Sequence, residues 1–220
     1  MKQLMIFIMA LFFMSVGTAL AKSFVETFPK QPDPTKKYII YLHGTIVEGD
    51  VIMPIHPVFG LYDMPLIRNA LGDMENSVLI SAQRQKRTKA PMYARKVAYS
   101  VLSLLEAGVL AKNITIAGFS KGGHIAIHAS GILNNDQINF VFMAACNNWA
   151  FKDDKIKVAG RILSILESSD NIGISCKPLI DKSTNVKEYK EIILNTGKKH
   201  GAFYQPIPEW VEPLKAWASQ

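Results

Sequence analysis

The stretch that decides the fold of this chain is ITIAGFSKGG, residues 114–123. Its first half, up to Phe119, is a short isoleucine-rich apolar run, which predicts a buried β-strand. Its second half carries glycines at positions 118 and 122, on either side of Ser120. This G-x-S-x-G spacing is typical of a sharp strand-to-helix turn that holds a serine in a strained backbone conformation. The stretch therefore predicts a nucleophilic serine; the alternative is a tight glycine-serine turn in a protein that only binds.

Similar apolar runs recur along the chain, and segments with helical spacing separate them. The predicted strands are 38–44, 77–83, 113–120, 138–146, 160–170 and 190–197. The predicted helices are 65–71, 94–107, 122–133 and 209–218, where apolar residues fall on one helical face. Runs that are apolar throughout fit strands buried on both faces of a parallel sheet. The alternation predicts a doubly wound, mostly parallel α/β sheet of about six strands.

The first residues of the chain predict export. Lys2 precedes an apolar run over residues 4–16, and Ala19-Leu20-Ala21 follows it. Together these features are typical of a cleavable signal peptide, here residues 1–21. The run is shorter than the roughly 20 residues that cross a bilayer, so we expect cleavage rather than an anchor, and no stable membrane insertion afterwards. We expect residues 22–220 to form a single domain that is periplasmic or secreted.

The charge of the chain argues against a nucleic-acid partner. The net charge is +7, from 25 basic and 18 acidic side chains. A nucleic-acid surface requires that such an excess be clustered. The one dense basic run, QKRTK at residues 85–89, has no aromatic residues within it. We therefore expect no nucleic-acid binding.

Two further strand ends supply partners for Ser120. Reactive groups in a parallel sheet collect at the carboxyl ends of the strands. Asp170 and His200 each follow a predicted strand, and His200 is the only one of five histidines that comes after Asp170. We expect His200 to be the general base and Asp170 to hold its far ring nitrogen. Glu167 is the alternative acid.

The G-x-S-x-G motif at residues 118–122 also predicts where an oxyanion would be stabilised. One donor is the backbone N–H of Lys121, the residue after the serine, and the other comes from the loop after the first predicted strand, at Thr45. His43, in that loop, is expected to be structural. The loop over residues 46–60 either contacts the substrate or covers the end of the sheet.

Candidate substrate contacts and metal ligands are less well defined by the sequence. His56, Tyr62 and Arg84 are predicted to contact the substrate, with packing as the alternative for each. His124 and His128 have the spacing of two metal ligands on a helix, but no third ligand accompanies them. We interpret both as packing residues and expect no metal and no cofactor.

Taken together, these motifs resemble the α/β-hydrolase superfamily. The resemblance rests on YLHG at 41–44, GFSKGG at 118–123, Asp170 and His200, and it covers nearly all of residues 37–217. It looks closest to small, poorly characterised members that share HPVFGLYD, GFSKGG and HGAFY. It implies hydrolysis of an ester or thioester through an acyl-serine, without a cofactor. The chain departs from the superfamily pattern in lacking its first strands and a cap domain.

The two cysteines can be placed on the same sheet. Cys146 ends one predicted strand, and Cys176 lies just beyond Asp170, past the end of the next strand. In an oxidising compartment an isolated pair of cysteines usually forms a structural disulfide. We therefore predict a Cys146–Cys176 disulfide that anchors the loop carrying the acid.

The leading hypothesis is therefore an exported serine hydrolase that acts on a small acyl substrate. Two alternatives share the fold: an acyltransferase, in which another acceptor replaces water, and a catalytically silent binding protein. The sequence defines neither the acyl group nor the oligomeric state.

Overall fold

The structure, a computed structural model, describes residues 24–220. The predicted signal peptide, residues 1–21, lies outside the described residues. The strands are β1 (Phe24–Val25), β2 (Lys37–Leu42), β3 (Ile55–His56), β4 (Gly60–Leu61), β5 (Ser77–Ile80), β6 (Ile114–Phe119), β7 (Asn139–Met143), β8 (Ala159–Glu167) and β9 (Asn185–Leu194). Seven of them form one sheet in the order β1-β5-β2-β6-β7-β8-β9, and every neighbouring pair is parallel.

The predicted parallel α/β sheet is confirmed, with one strand more than expected. Each of the six predicted runs overlaps a strand of the sheet, although β9 begins five residues before its predicted run. The seventh is β1, whose two residues pair with Leu79 and Ile80 at the edge. A two-residue strand is too short for its period to be recognised in sequence. The remaining strands, β3 and β4, form a small antiparallel pair apart from the sheet.

Within residues 24–220, six α-helices cover the two faces of the sheet. They are α1 (Met64–Gly72), α2 (Ala90–Glu106), α3 (Lys121–Leu133), α4 (Asn148–Lys152), α5 (Lys177–Asp181) and α6 (Pro208–Ala218). Helices α2 and α3 pack with Ile40 and Leu42 of β2, while α1 and α6 pack with Ile39 and Tyr41 of the same strand. Alternate residues of a strand point to opposite faces, so β2 contributes to both cores. This arrangement explains why its sequence is apolar throughout.

Parallel pairing sets the position of the candidate site. The carboxyl ends of all seven strands lie at one edge of the sheet, where open α/β folds bind ligands. Ser120 directly follows β6, Asp170 follows β8, and His200 lies in a 3-10 turn, Lys199–Phe203, that follows β9. Among residues 24–220, no helix has both the length and the apolar composition to cross a membrane.

Candidate active site

Ser120 occupies the turn between β6 and α3. Its backbone has φ 52° and ψ −118°, a positive-φ conformation that is uncommon and strained for a residue with a Cβ. Two backbone hydrogen bonds hold the turn: Ser120 N–H donates to the Met143 carbonyl at 2.9 Å, and His124 N–H donates to the Ser120 carbonyl at 3.0 Å. The sharp turn that the sequence predicted is present.

The glycines beside Ser120 allow this turn to form. A Cβ added to Gly118 would lie 2.2 Å from the Gly122 carbonyl oxygen, and one added to Gly122 would lie 1.8 Å from the Leu42 carbonyl oxygen. Both contacts are with backbone, which cannot move aside as a flexible side chain could. Strand β6, helix α3 and the end of β2 therefore approach one another closely only because these positions lack side chains.

His200 and Asp170 form a hydrogen-bonded pair. The His200 Nδ1 atom lies 2.7 Å from Asp170 Oδ2, with the histidine side chain 7% exposed and the aspartate side chain fully buried. The aspartate also accepts hydrogen bonds from the backbone N–H groups of Ile172 and Gly173, at 2.9 and 3.3 Å. A carboxylate on Nδ1 keeps the proton on that nitrogen, which leaves Nε2 as the free acceptor.

Ser120 and His200 meet at one cavity. The cavity has a volume of about 290 Å³ and its lining includes Thr45, His56, Phe59, Ser120 and His200. Most of the remaining wall is apolar or aromatic: Gly44, Ile46, Phe119, Ile172 and Tyr204. The structure thus brings together four of the residues singled out in the sequence, and Asp170 reaches the site through His200.

The two predicted oxyanion donors belong to segments next to the cavity. Thr45 begins a 3-10 turn, Thr45–Val47, directly after Gly44 and lines the cavity. Lys121 is the first residue of α3, where the N–H groups of a helix have no partner within the helix. Thr45 thus shares the cavity with Ser120, and Lys121 directly follows Ser120 in the chain.

His43 fixes the loop that carries Thr45. Its Nε2 accepts from the Arg84 backbone N–H at 3.1 Å, so its Nδ1 carries the proton and donates to the Gly44 carbonyl at 2.8 Å. Burial, together with the charge of Arg84, lowers the pKa of His43 to about 3. The ring is therefore neutral near pH 7, which suits a structural role.

Tyr62 and Arg84 do not line the cavity, contrary to the prediction that they contact the substrate. The Tyr62 ring is fully buried, and its hydroxyl lies 2.8 Å from the Tyr41 hydroxyl. Burial raises the pKa of Tyr62 to about 12. The Arg84 guanidinium is also fully buried and donates to the carbonyl oxygens of His43 and Gly44. Both side chains point beneath the loop after β2 rather than into the space above it.

A buried glutamate that the sequence analysis missed connects this loop to Ser120. Glu48 Oε1 lies 2.8 Å from Lys121 Nζ and 3.6 Å from Arg84 Nε, and the glutamate side chain is 4% exposed. We call Arg84, Glu48 and Lys121 the Glu48 ion chain. It joins the segment carrying one predicted oxyanion donor to the residue that carries the other. A single glutamate in a loop has no sequence pattern that would have indicated this role.

Glu167, the alternative acid, has a different position from the one considered. In the described part of the chain no hydrogen bond joins it to His200. Its Oε2 accepts from the Thr196 N–H and hydroxyl at 3.0 and 2.8 Å, and its Oε1 accepts from the Gly197 N–H at 3.2 Å and the Ser169 hydroxyl at 3.0 Å. Burial alone would raise the pKa of Glu167, but these hydrogen bonds outweigh it and the net shift is downward.

These contacts, which we call the Glu167 cradle, join the loops that carry Asp170 and His200. Ser169 precedes Asp170, while Thr196 and Gly197 precede His200. The Ser169 hydroxyl adds a second link, because it accepts from the Lys199 backbone N–H at 3.1 Å. The cradle thus fixes the distance between the two members of the pair.

The predicted Cys146–Cys176 disulfide is confirmed. The Ile174 N–H also donates to the Cys146 carbonyl at 2.9 Å. The disulfide and this hydrogen bond anchor the far end of the loop that begins at Asp170 to the segment after β7. The loop is therefore held at both ends, by the Glu167 cradle and by the disulfide.

His124 and His128 pack against one indole ring, as predicted. The Trp149 Nε1–H donates to His124 Nε2 at 3.2 Å, and the ring centroids of the two histidines lie 4.7 and 5.3 Å from that of Trp149. Burial, with the nearby His128 charge, lowers the pKa of His124 to about 4. Within residues 24–220, no group of three or more His, Cys, Asp or Glu side chains is arranged to hold a metal ion.

Comparisons with known proteins add a likeness of fold. No protein-family model matches the chain, and no curated protein matches it. Among solved structures, the chain is similar to the crystal structure of esterase PE8, with a TM-score of 0.53 and 12% sequence identity, over 82% of this chain and 90% of that one. At this identity the likeness shows the fold alone, an α/β fold with a mostly parallel sheet.

Proposed function

We propose that this protein is an exported serine hydrolase that cleaves an ester or thioester through an acyl-Ser120 intermediate. The observation that carries the proposal is the cavity shared by Ser120 and His200, with the other ring nitrogen of His200 bonded to Asp170. A serine becomes a nucleophile when an adjacent base takes its proton and a third group orients that base. The strained turn at Ser120 supports the same role, since strain in a folded protein is concentrated at functional sites.

The proposed reaction uses the groups in the following order. His200 Nε2 takes the Ser120 hydroxyl proton while the oxygen attacks the acyl carbonyl, and Asp170 stabilises the resulting imidazolium without accepting its proton. The N–H groups of Thr45 and Lys121 donate to the carbonyl oxygen as it becomes negative. The imidazolium then protonates the leaving alcohol or thiol. Water, deprotonated by His200, then attacks the acyl-serine, and the imidazolium protonates the Ser120 oxygen as it leaves, which releases the acid and the free serine.

An uncharged acyl group fits the cavity lining. Apart from His56 and His200, no ionisable side chain other than the Tyr204 phenol lines it among the described residues, and burial raises the pKa of Tyr204 to about 12. The wall is instead built from side chains such as Ile46, Phe59 and Phe119. A site of this kind binds its ligand mainly through apolar contacts, and its few polar groups lie where the reacting carbonyl would bind.

Two findings agree with the type of enzyme and with the compartment that we propose. The likeness to esterase PE8 places the chain on a fold that carries ester hydrolysis in that protein. The Cys146–Cys176 disulfide fits an oxidising compartment, in agreement with the predicted signal peptide.

Labelling with a fluorophosphonate tests the proposal directly, because this reagent modifies only an activated serine. We expect residues 22–220 to label at a single site, with no labelling in Ser120→Ala. His200→Ala and Asp170→Asn should label at least about a thousandfold more slowly. Ser100→Ala, at a serine on α2, is the matched control and should label at the wild-type rate.

The outcome also separates the hydrolase from its alternatives. A folded wild-type protein that neither labels nor hydrolyses any member of an acyl-ester panel would be the silent binding protein. Labelling at Ser120 with acyl transfer to an added alcohol, faster than to water, would identify an acyltransferase.

A further inference from the structure

Seven of the fifteen exposed large apolar side chains among residues 24–220 lie on two loops. One loop carries five of them and the loop after β8 carries two: Val51, Ile52, Met53, Ile55, Val58, Ile172 and Ile174. Ile55 and Val58 are the most exposed of the seven, at 76% and 67%. We call these seven residues the apolar rim. Single exposed apolar residues are ordinary, but a concentration of this kind marks an interaction surface.

The two loops of the apolar rim lie beside the same cavity. His56 and Phe59, from the first loop, line the cavity that contains Ser120, and Ile172, from the second, lines it too. The β3–β4 pair fixes the first loop, because Ile55 pairs with Leu61 and His56 with Gly60. The two loops that carry the apolar rim therefore both reach the cavity, through His56 and Phe59 on the first and Ile172 on the second.

Basic side chains flank the apolar rim. Lys86, Arg87 and Lys89 follow β5, and Lys198 and Lys199 come just before His200; all five are exposed. The Lys86 side chain lies against Gly49, since a Cβ added to that glycine would be 2.7 Å from Lys86 Cε. The first loop thus runs from this basic segment to the cavity. Within the loops 45–63, 81–89, 168–176 and 195–199, Asp50 is the single exposed acidic residue.

We propose that this face of the protein docks on an anionic phospholipid surface, with the cavity mouth at the interface. Apolar side chains that insert between headgroups, combined with lysines and arginines around them, provide both of the forces that hold a protein on an anionic bilayer. A second copy of the chain fits the face less well, because two-fold pairing would bring its cations opposite one another. Docking depends on the rim and not on Ser120, so it does not require the proposed hydrolase activity.

Cosedimentation with vesicles tests the proposal. Residues 22–220 are mixed with vesicles of phosphatidylcholine alone or with phosphatidylglycerol added, using both the wild type and Ser120→Ala. We expect at least about tenfold stronger partitioning onto the phosphatidylglycerol vesicles, weakening as salt is raised, for both proteins. Because Ser120→Ala binds equally, a failure to bind lipid is distinguishable from a failure of the hydrolase proposal.

Paired variants identify the surface. Ile55→Asp with Val58→Asp changes two rim residues that do not line the cavity, and Lys86→Glu with Lys89→Glu reverses two of the flanking charges. Each pair should weaken binding at least about tenfold. The control makes the same kinds of change at the opposite edge of the sheet, with Leu110→Asp and Lys112→Glu just before β6, and should bind as the wild type does.

Three results would overturn the proposal. The first is equal partitioning onto the two kinds of vesicle. The second is unchanged binding by Ile55→Asp with Val58→Asp when circular dichroism shows that the variant is folded. The third is a dimer, detected by light scattering without vesicles, that the same pair of substitutions dissociates.

Discussion

The two sides of Ser120 are each organised around a buried glutamate, but the two carboxylates are satisfied in different ways. On the side of the proposed oxyanion donors, which we call the oxyanion side, Glu48 lies between the charges of Arg84 and Lys121. On the side of the proposed acid–base pair, which we call the acid–base side, Glu167 accepts hydrogen bonds from neutral backbone and hydroxyl groups, including those of Thr196. One carboxylate balances charge, whereas the other fixes geometry.

This difference decides what each side loses when its glutamate changes. Removing one member of a buried ion chain leaves the other charges uncompensated, and the Arg84 guanidinium is fully buried, with two of its nitrogens lacking a hydrogen-bond partner among the described residues. Removing the charge of Glu167 leaves no buried cation behind. The oxyanion side should therefore be the more fragile in stability, and the acid–base side the more sensitive in catalysis.

The largest expected effect is that of Glu48→Gln. With its charge gone, Arg84 remains buried without an anion, and we expect the free energy of unfolding to fall by about 3–5 kcal/mol. Urea denaturation of residues 22–220 measures it. Asp181→Asn is the control, because its ion pair with Lys177 is more than half exposed on both sides and contributes at most about 0.5 kcal/mol. A loss in Glu48→Gln no larger than in the control would show that the ion chain carries no stability.

The disulfide is the next largest contribution and belongs to the acid–base side. Cys146 and Cys176 are separated by 30 residues, a loop whose closure in the unfolded chain is worth about 3–4 kcal/mol. The double change Cys146→Ala and Cys176→Ala should reduce the free energy of unfolding by that amount. Because the Glu167 cradle still holds the start of the Asp170 loop, kcat on a model ester should change little at temperatures where the variant is folded. A large fall in kcat at those temperatures would show that the disulfide, and not the Glu167 cradle, positions Asp170.

Glu167→Gln should have a smaller effect on stability and a clearer one on catalysis. Its amide still accepts on one side but directs N–H groups at the donors of Thr196 or Gly197, so we expect a loss of about 2 kcal/mol. The loops carrying Asp170 and His200 then shift relative to each other, and kcat should fall at least about tenfold with KM nearly unchanged. Steady-state kinetics and urea denaturation on the same preparation separate the two effects. An unchanged kcat in the folded variant would leave Glu167 with a purely structural role.

The same contrast explains what could be predicted from the sequence. The strands were predictable because their apolar runs reflect burial on both faces, and the turn at Ser120 because close backbone contacts require Gly118 and Gly122. The Cys146–Cys176 disulfide followed from the placement of strand ends. Each of these features depends on local pattern or on chain order, both of which a sequence displays.

The buried charged residues beneath the site could not be predicted from the sequence, and the reason is physical. Arg84 follows a strand as Ser120 does, yet its side chain lies under the loop after β2. Whether a side chain after a strand enters the cavity or lies beneath it depends on the path of the surrounding loops, which the sequence does not display. Glu48 has no motif, and its partners Arg84 and Lys121 are 36 and 73 residues away in sequence. Glu167, considered as the alternative acid, instead bonds to the loops that carry Asp170 and His200.

The last expected effect is absent at neutral pH and concerns acid sensitivity on the side of the proposed oxyanion donors. His43 has a pKa of about 3 in the folded protein because of burial and the charge of Arg84, against about 6.5 in an unfolded chain. Between these values the unfolded chain binds a proton that the folded protein does not. The titration of His43 therefore does not affect stability above about pH 6.5 and makes stability fall as the pH is lowered, by up to about 1.4 kcal/mol per pH unit.

His43→Gln keeps an acceptor for the Arg84 N–H but cannot titrate, so its unfolding free energy should fall less steeply with acid. His124, whose pKa burial and the His128 charge lower to about 4, has the same sign and supplies the matched comparison as His124→Gln. Urea denaturation over the range from neutral pH to about pH 4.5 measures the slopes. Parallel curves for His43→Gln and the wild type would mean that water reaches the ring, and that the oxyanion side is less tightly sealed than the Glu48 ion chain implies.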